Sequence, residues 1–427
     1  MRQLAVKENQ SIPIGLPDGV SETEARALRR LDEDHHRRTG GTVFDWSRST
    51  ELVARDYVGV VCIPGLTLEI LPKIDDPEGE HLAQKNLLYM LELAGAIRPK
   101  DRSLGHLDTE PVSLLDAFVI VFADSLIDAL RDGVDRNYVT IEENLKVVRG
   151  RLLVHEQIRR NAVQKQNLYV RYDEFSADTG LNRILKAACR SLARSAGSFS
   201  ALRRLRELLV RFDEVTDFIP TPADLRLELT RQNRRFQPHL DFARLVLGGQ
   251  SPAPMAGGER SFSLLFKMHV VFEAFVGEFL RRHAHTLGLQ GTRIIPQAQG
   301  RALARDEAGE RHFYLRPDIL VLGPAKNTRL VVDTKWKLVD PSTPVDDVSR
   351  EDAYQLFAYS ERFNSPLSVL LYPRTGPANP MTLTFEQTSR VLRLAFMDVG
   401  RDLRKEAEAV AQELAGVLSV RTIGPNH

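Results

Sequence analysis

Apolar residues in the first hundred positions alternate or run continuously, which is typical of β-strands. Three segments are predicted as strands: 42–46, 57–63 and 66–71. Pro64-Gly65 supplies a turn between the last two. Helical spacing of apolar residues follows over 81–97. We therefore predict a β-rich N-terminal module with one helix over residues 1–105, as the part that binds a partner.

The middle of the chain, residues 106–250, is predicted to be mainly helical. A long apolar-faced helix covers 113–133, with Gly133 as a plausible C-cap. The segment 138–154 is read as a β-hairpin that turns at Glu143-Asn144. A further helix begins near Leu181 and is capped by Asp178 or Thr179.

The glycine- and proline-rich segment 247–261 is predicted to be a linker, and it sets off a last domain at 251–427. Its predicted helices are 263–283, 349–364 and 397–418, with Ser349 and Asp352 in capping-box spacing. Strands are predicted around Asp318 and Asp333 and over 368–373 and 380–385. This order predicts an α/β core with a mixed sheet, and the whole chain is predicted to be a multidomain α+β protein.

Residues 311–337 contain the most informative local pattern. HFYLRPDILVL and RLVVDTKWK are predicted as two strands joined by the turn GPAKNT. If the turn is centred between Ala325 and Lys326, Asp318 lies opposite Asp333, with Cβ atoms about 5 Å apart. Lys335 then shares their face. Because burying unpaired charge is costly, this cluster indicates a site.

Bulk composition narrows the class of protein. A chain of 427 residues favours two or three domains, and a net charge of +1 leaves any nucleic-acid binding to local patches. Basic residues exceed acidic ones over 186–235. This segment is either a solvated helix face or a strip that contacts phosphate or another subunit. Its most closely spaced arginines are Arg203, Arg204, Arg206, Arg231, Arg234 and Arg235. Two distant cysteines and no h-region or long apolar run predict a cytoplasmic protein without a membrane span.

Paired carboxylates beside a lysine suit phosphodiester hydrolysis. Two carboxylates can hold Mg²⁺, and a lysine can orient water and offset developing negative charge. Glu273 is a third acid on a mainly apolar helix; the alternative is an edge carboxylate in water or paired with Lys267, Arg281 or Arg282. Gln355 and Tyr359 share one helix face, for which half-buried polar packing is the alternative.

Other chemistries lack their motifs. The sequence has no GxxxxGK[ST] segment, so we expect no nucleotide site in this chain. Its histidines show no zinc-ligand pattern, and no GxSxG element is present.

The combination RPDI, VVDTKWK and AYQLFAY resembles the PD-(D/E)xK nuclease superfamily, in the branch with a QxxxY motif. More of the chain resembles the McrC family, the nuclease subunits of McrBC-type modification-dependent restriction systems. The segments that carry this resemblance are YVGVVCIPGLTLEILPKI (57–74), VVRGRLLVHEQI (147–158), YDEFSADTGLNRILKAA (172–188), FKMHVVFEAFV (266–276) and SVLLYP (368–373).

This resemblance implies an Mg²⁺-dependent endonuclease, with Mn²⁺ as an alternative ion. Metal carboxylates would be Asp318, Asp333 and Glu273, with Lys335 as the catalytic lysine and Gln355 and Tyr359 in support. The implied partners are DNA and an McrB-like hexameric AAA+ GTPase, whose GTP hydrolysis the N-terminal half stimulates. Residues 71–74 and 138–154 are candidates for the contact with that partner.

Two other functions stay open from the sequence. One is a repair or recombination nuclease of RecB type, although its iron–sulfur relatives need four cysteines and this chain has two. The other is a non-catalytic regulator of an AAA+ ring, against which the complete set of Asp318, Asp333 and Lys335 argues.

Overall fold

A computed structural model describes residues 2–74, 80–97, 112–164, 166–248, 261–339, 348–376 and 378–419. The protein is a mixed α/β chain with several sheets. It divides into two compact units. The first consists mainly of Arg98–Leu264, together with Cys62–Pro64; the second consists of Arg2–Val61, Gly65–Ile97 and Leu265–His427. The predicted linker 247–261 lies almost wholly outside the described residues, so the predicted domain boundaries stay predictions.

The second unit begins with the N-terminal module, by which we mean residues 2–61 and 65–97. Its elements are β1 (Arg2–Lys7), β2 (Ser11–Pro13), α1 (Glu22–Thr39), β3 (Phe44–Asp45), β4 (Glu51–Ala54), β5 (Tyr57–Ile63), β6 (Leu66–Leu71) and α2 (Glu80–Leu93). The three predicted strands and the predicted helix that follows them are present, but the prediction of one helix is wrong, because α1 forms as well, with a capping box at Ser21. β5 is a continuous apolar run and is buried along its whole length, and β6 is equally buried although it includes Thr67 and Glu69. Gly65 takes the left-handed conformation of the turn between them.

The first unit contains α3 (Leu114–Ala129), β7 (Asn137–Leu145), β8 (Arg151–Leu152), α4 (Val154–Arg160), β9 (Leu168–Ser176), α5 (Gly180–Ser195), α6 (Phe199–Arg211) and α7 (Gln237–Gly248). Thr179 caps α5, as predicted. The helix predicted to reach Gly133 ends at Ala129, because Leu130 caps it and Gly133 serves the following turn.

The hairpin predicted within 138–154 is wrong. Glu143 and Asn144 lie inside β7, which pairs with β9 along its full length, so the chain does not turn there. The alternation of more and less exposed residues along β7 continues through both positions, as in an uninterrupted strand. Gly150, with a φ of 68°, lies just before β8, which pairs with the other edge of β9.

The C-terminal core, residues 265–419, completes the second unit. Its elements, with the strand leading into them, are β10 (Phe262–Lys267), α8 (Met268–Arg282), β11 (Arg293–Pro296), β12 (Arg301–Arg305), β13 (Arg311–Leu315), β14 (Ile319–Leu322), β15 (Thr328–Thr334), α9 (Arg350–Phe363), β16 (Leu367–Arg374), β17 (Met381–Thr384), β18 (Val391–Asp398) and α10 (Ala407–Leu418). Six strands form a sheet in the order β11-β14-β15-β16-β18-β17.

This sheet is mixed, as predicted. β15, β16 and β18 run parallel, whereas β11, β14 and β17 pair antiparallel with their neighbours. Helix α9 packs on it through Leu356, Tyr359 and Phe363, which join a cluster of buried side chains from the strands. The packed helix and sheet therefore support the start of β14 and the end of β15.

Three predicted elements of the core need correction. The helix predicted over 263–283 begins only at Met268, because 262–267 form β10 beside β5; a short apolar run fits a buried strand as well as a helix. The helix predicted over 397–418 begins at Ala407, because Val391–Asp398 form β18.

The third correction concerns the single strand predicted for HFYLRPDILVL. This segment forms two strands: β13 pairs with β12 in a separate two-stranded sheet, and β14 starts only at Ile319. Among the described residues, no helix is both long and apolar enough to span a bilayer.

Candidate active site

Asp318 and Asp333 meet at one end of the β14–β15 pair. Ile319 pairs with Val332, so the register places Asp318, just before β14, opposite Asp333. The predicted register is thus confirmed at the neighbouring pairs. Asp318 Oδ2 accepts hydrogen bonds from the backbone N–H and the hydroxyl of Thr334, each 2.8 Å long. One carboxylate oxygen is therefore fixed by the strand that carries the other acid.

Asp333 is the most enclosed acid of the site, with only 2% of its surface exposed. Its Oδ2 lies 3.0 Å from Nζ of Lys335, an ion pair that offsets part of its buried charge. Burial and the negative charge of Asp318 raise the pKa of Asp333 to about 6, against the opposing effect of Lys335. The site thus holds a carboxylate that lacks full compensation.

Lys335 lies between two acids. Its Nζ is 3.0 Å from Asp333 Oδ2, 3.0 Å from Asp352 Oδ1 and 3.5 Å from Gln355 Oε1. Burial lowers the pKa of Lys335, but the carboxylates of Asp333 and Asp352 outweigh burial and raise it above its usual value. The side chain is therefore a fixed ammonium at neutral pH.

Asp352 is a site residue that sequence reasoning recognised only as part of a helix cap. Its backbone N–H has this capping role, because it donates to Ser349 Oγ at the start of α9. Its side chain contacts Lys335 instead. The available signal was its spacing: Asp352 precedes Gln355 by three residues and so lies on the same helix face.

Glu273, on α8, faces the same cluster. Burial, followed by the charges of Asp318 and Asp333, raises the pKa of Glu273 to about 7, whereas Arg316 opposes the shift. The alternative pairing with Arg281 or Arg282 is not found, because both arginines contact Glu278. The structure thus brings Glu273 close to Asp318 and Asp333.

Gln297 connects two of these acids and was not predicted. Its side-chain amide donates to Glu273 Oε1, and its backbone N–H donates to the carbonyl oxygen of Asp318 at 2.7 Å. Its φ of 48° is in the left-handed region, which is uncommon for a residue with a side chain. A turn of this kind after β11 gave no recognisable sequence signal.

Gln355 and Tyr359 form a hydrogen-bonded chain beside Lys335. Gln355 Nε2 donates to Tyr359 Oη at 2.7 Å, and that hydroxyl donates to the carbonyl oxygen of Arg316 at 3.1 Å. Arg316 lies two residues before Asp318, so the chain links α9 to the segment that positions this acid. All six predicted site residues therefore lie in one region, joined by Asp352 and Gln297.

The donor set fits a hard divalent cation. Mg²⁺ prefers oxygen ligands and commonly takes one or two carboxylates, with waters or phosphate oxygens completing its shell. The carboxylates of Asp333 and Asp318 lie opposite each other and offer oxygen ligands of this kind. Among the described residues, three ligand atoms converge within 4.8 Å only at Asp306, Glu310 and His312, an exposed set at the β12–β13 turn. Glu273, Asp318 and Asp333 are thus a wider arrangement.

The chain is similar to known proteins in family and in fold. Its residues 52–373 match the family model of the McrBC 5-methylcytosine restriction system component, a range that includes every site residue named above. No curated protein sequence matches the chain significantly.

Two solved structures share its fold. One is the refined half-complex from a tetradecameric assembly of Thermococcus gammatolerans McrB AAA+ hexamers with bound McrC. It has a TM-score of 0.71 and 21% identity, over 97% of this chain and 100% of that chain. A cryo-EM structure of the Thermococcus gammatolerans McrBC complex has a TM-score of 0.51 and 23% identity, over 71% of this chain and 90% of that chain.

Proposed function

Because this chain belongs to the McrBC 5-methylcytosine restriction system component family, we propose that it is the subunit that cuts DNA. In this proposal it is an McrC-type, Mg²⁺-dependent endonuclease with a PD-(D/E)xK core. The observation that carries the proposal is the convergence of Asp318, Asp333 and Lys335 at the end of β14 and β15. Glu273 supports it, because a third acid with a raised pKa faces the same point.

The roles of the residues follow from their charges and contacts. Asp318 and Asp333 would hold the cation, with Glu273 as a further ligand. When bound, Mg²⁺ would polarise a phosphate oxygen and lower the pKa of an attacking water. The ammonium of Lys335 would orient that water and offset negative charge that develops on the phosphate. Gln355 and Asp352 would hold Lys335 in place.

Glu273 is suited to share the cation with the two hairpin acids. Without metal, burial and the charges of Asp318 and Asp333 raise the pKa of Glu273 to about 7, and a divalent cation among the three carboxylates would relieve their repulsion. Gln297 would keep the Glu273 carboxylate oriented through its amide.

The β12–β13 hairpin is the proposed approach surface for DNA. Phe313 and Tyr314 are exposed, and Phe313 adopts a left-handed φ of 57°, which is unusual for an aromatic residue. Arg311 and Arg316 flank them. Aromatic side chains can stack on bases while arginines contact phosphates. This local patch would supply DNA affinity that the net charge of +1 does not.

We further propose that an McrB-like hexameric AAA+ GTPase drives the cut and that this chain stimulates its GTP hydrolysis. The chain has no phosphate-binding loop motif of its own. In the first unit, the β7–β9 sheet and α4 expose apolar side chains that would suit a protein contact. They include Tyr138, Val154, Ile158 and Phe175, and Val163 is exposed in the loop after α4.

Cleavage of methylated and unmethylated DNA tests the proposal, with Mg²⁺, GTP and the cognate GTPase present or omitted. We expect Asp333→Ala and Lys335→Ala to lower cleavage by about 10²- to 10⁴-fold. Stimulation of the partner's GTP hydrolysis should be retained in both. Normal cleavage by both variants would refute the site, and unchanged GTP hydrolysis on addition of this chain would refute the assembly role.

A further inference from the structure

Trp336, the residue after Lys335, is held from three sides. Its indole Nε1–H donates to Glu8 Oε2 at 2.8 Å, and its carbonyl oxygen accepts a hydrogen bond from Lys73 Nζ at 3.2 Å. Its ring packs on Phe272 with 5.1 Å between the ring centroids. Both Glu8 and Lys73 come from the N-terminal module, far from Trp336 in sequence.

The geometry of the module explains how these two residues reach the same place. β1 and β6 are parallel neighbours, and Glu8 and Lys73 follow their ends. The backbone N–H of Glu8 donates to the carbonyl oxygen of Leu71 at 2.8 Å, which extends the strand pairing by one step. Glu8 is only 3% exposed. A buried carboxylate needs partners, and here Trp336 and Lys73 supply them.

Trp336 is well placed to control the position of Lys335. β15 ends at Thr334, after which the backbone N–H of Lys335 still donates to the carbonyl oxygen of Leu371 at 3.0 Å. Trp336 is the next fixed point of the chain. Its packing partner Phe272 directly precedes Glu273, so Trp336 is the chain neighbour of one site residue and packs on the chain neighbour of another.

We propose that Glu8 and Lys73 are positioning residues for the catalytic lysine and that the N-terminal module thereby forms part of the active site. This inference rests on the proposed nuclease function. Glu8 and Lys73 touch no reacting atom in this scheme. They act through Trp336, by fixing the backbone from which the Lys335 ammonium is presented to the phosphate.

A second polar contact between the module and the core provides a matched control. Asn86 on α2 donates to the carbonyl oxygens of Val399 and Arg401 at 3.0 and 2.8 Å, and it accepts from the N–H of Leu403 at 3.0 Å. Asn86 is buried, and none of these partners belongs to the site. Its loss should loosen the module without moving Lys335.

The experiment compares single-turnover DNA cleavage by variants in the complex with the cognate GTPase. We expect Glu8→Ala and Trp336→Phe each to lower the cleavage rate constant by about 10- to 100-fold, since small misplacements of catalytic groups have effects of this size. The KM for DNA should not change. The double variant should be no slower than either single variant, because both remove the same hydrogen bond.

Two further variants distinguish positioning from a general structural role. Glu8→Gln keeps an acceptor for the indole N–H and should restore most of the rate. Asn86→Ala should lower the thermal midpoint at least as much as Glu8→Ala and yet cleave at the normal rate.

Three outcomes would overturn the proposal: normal cleavage by Trp336→Phe, additive losses in the double variant, or a loss in Asn86→Ala equal to that in Glu8→Ala. Failure of the nuclease function itself has a different signature. In that case Asp333→Ala and Lys335→Ala would cleave normally, whatever the behaviour of the Glu8 variants.

Discussion

Two acid–base pairs, one in each unit, differ in burial and in the number of acids that share the base. In the first unit, Arg204 Nε lies 2.9 Å from Asp124 Oδ1, and the side chains are only 10% and 4% exposed. The guanidinium also donates to the carbonyl oxygen of Ser200 at 3.2 Å. Arg204 was predicted as part of a solvated or phosphate-contacting strip, and its burial corrects that prediction.

In the second unit, Asp333 and Lys335 form a similar pair with a different balance. Lys335 is 31% exposed and is shared with Asp352, and the pKa of Asp333 is raised to about 6 by burial and by the charge of Asp318. The two pairs therefore differ in the acids around them, because several carboxylates converge on the one lysine. Such a convergence raises the pKa of an acid and favours binding of a cation.

The largest effect on stability is expected at the buried Asp124–Arg204 pair. Asp124→Ala would leave the Arg204 guanidinium buried without its charge partner, at a cost of about 3–5 kcal/mol in the free energy of unfolding. Urea unfolding followed by circular dichroism measures it. On the same helix, Asp128 pairs with the exposed Arg131, so Asp128→Ala should cost less than about 1 kcal/mol. Equal losses of unfolding free energy in the two variants would show that the buried pair stabilises the fold no more than the exposed pair does.

Glu273→Gln should raise stability, unlike Asp124→Ala, while it lowers cleavage by about 10²-fold, because an uncharged amide holds the cation less well than a carboxylate. The folded-state pKa of Glu273, about 7, exceeds the ordinary value of 4.5. The stability that this acid contributes is thus full below pH 4.5 and is lost as the pH rises through 7.

The glutamine variant does not titrate, so without metal it should unfold at a higher temperature than the parent at pH 8 and at the same temperature near pH 4.5. Glu278→Gln is the control on the same helix, because Glu278 pairs with Arg281 and Arg282 at the surface. A lower thermal midpoint for Glu273→Gln at pH 8 would contradict the assigned repulsion.

Local patterns predicted the parts of the site that lie close together in sequence. The turn residues between β14 and β15 predicted the register that places Asp318 opposite Asp333, although Leu322 pairs with Thr328 and an irregularity between Val321 and Leu322 is needed to reach that register. Helix spacing placed Gln355 and Tyr359 on one face. Gln297 and the Glu8–Trp336 contact were missed because long-range packing alone creates them, and no local propensity encodes a hydrogen bond between residues so far apart.

The errors in secondary structure have a similar origin. Residues 262–267 are apolar enough for either a strand or a helix, and the neighbouring β5 decides in favour of a strand. The segment 311–322 contains Pro317 and Asp318, which disfavour a strand, and its two halves pair with different partners, β13 with β12 and β14 with β15. Breaking the strand before Asp318 lets this acid turn toward Thr334.

Stabilisation by Mg²⁺ should depend on pH because protons compete with the cation for the carboxylates. The pKa values of Asp333 and Glu273 are about 6 and about 7, so millimolar Mg²⁺ should raise the thermal midpoint more at pH 8 than at pH 5.5. The free energy of unfolding should rise by about 1.4 kcal/mol for each tenfold excess of Mg²⁺ over its Kd. Asp333→Asn should remove most of this rise. Equal stabilisation at both pH values would argue against a carboxylate site.

The smallest effect is expected at Tyr359, whose ring is packed in the core while its hydroxyl bridges Gln355 and the carbonyl oxygen of Arg316. Tyr359→Phe keeps the ring and removes both hydrogen bonds, so it should cost about 1 kcal/mol in stability. Gln355 would lose one of its two partners and hold Lys335 less firmly, so cleavage should fall by less than about tenfold. Tyr354→Phe, on the exposed face of the same helix, should change neither quantity. A loss of cleavage as large as that of Lys335→Ala would instead place the Tyr359 hydroxyl in direct contact with the reacting phosphate.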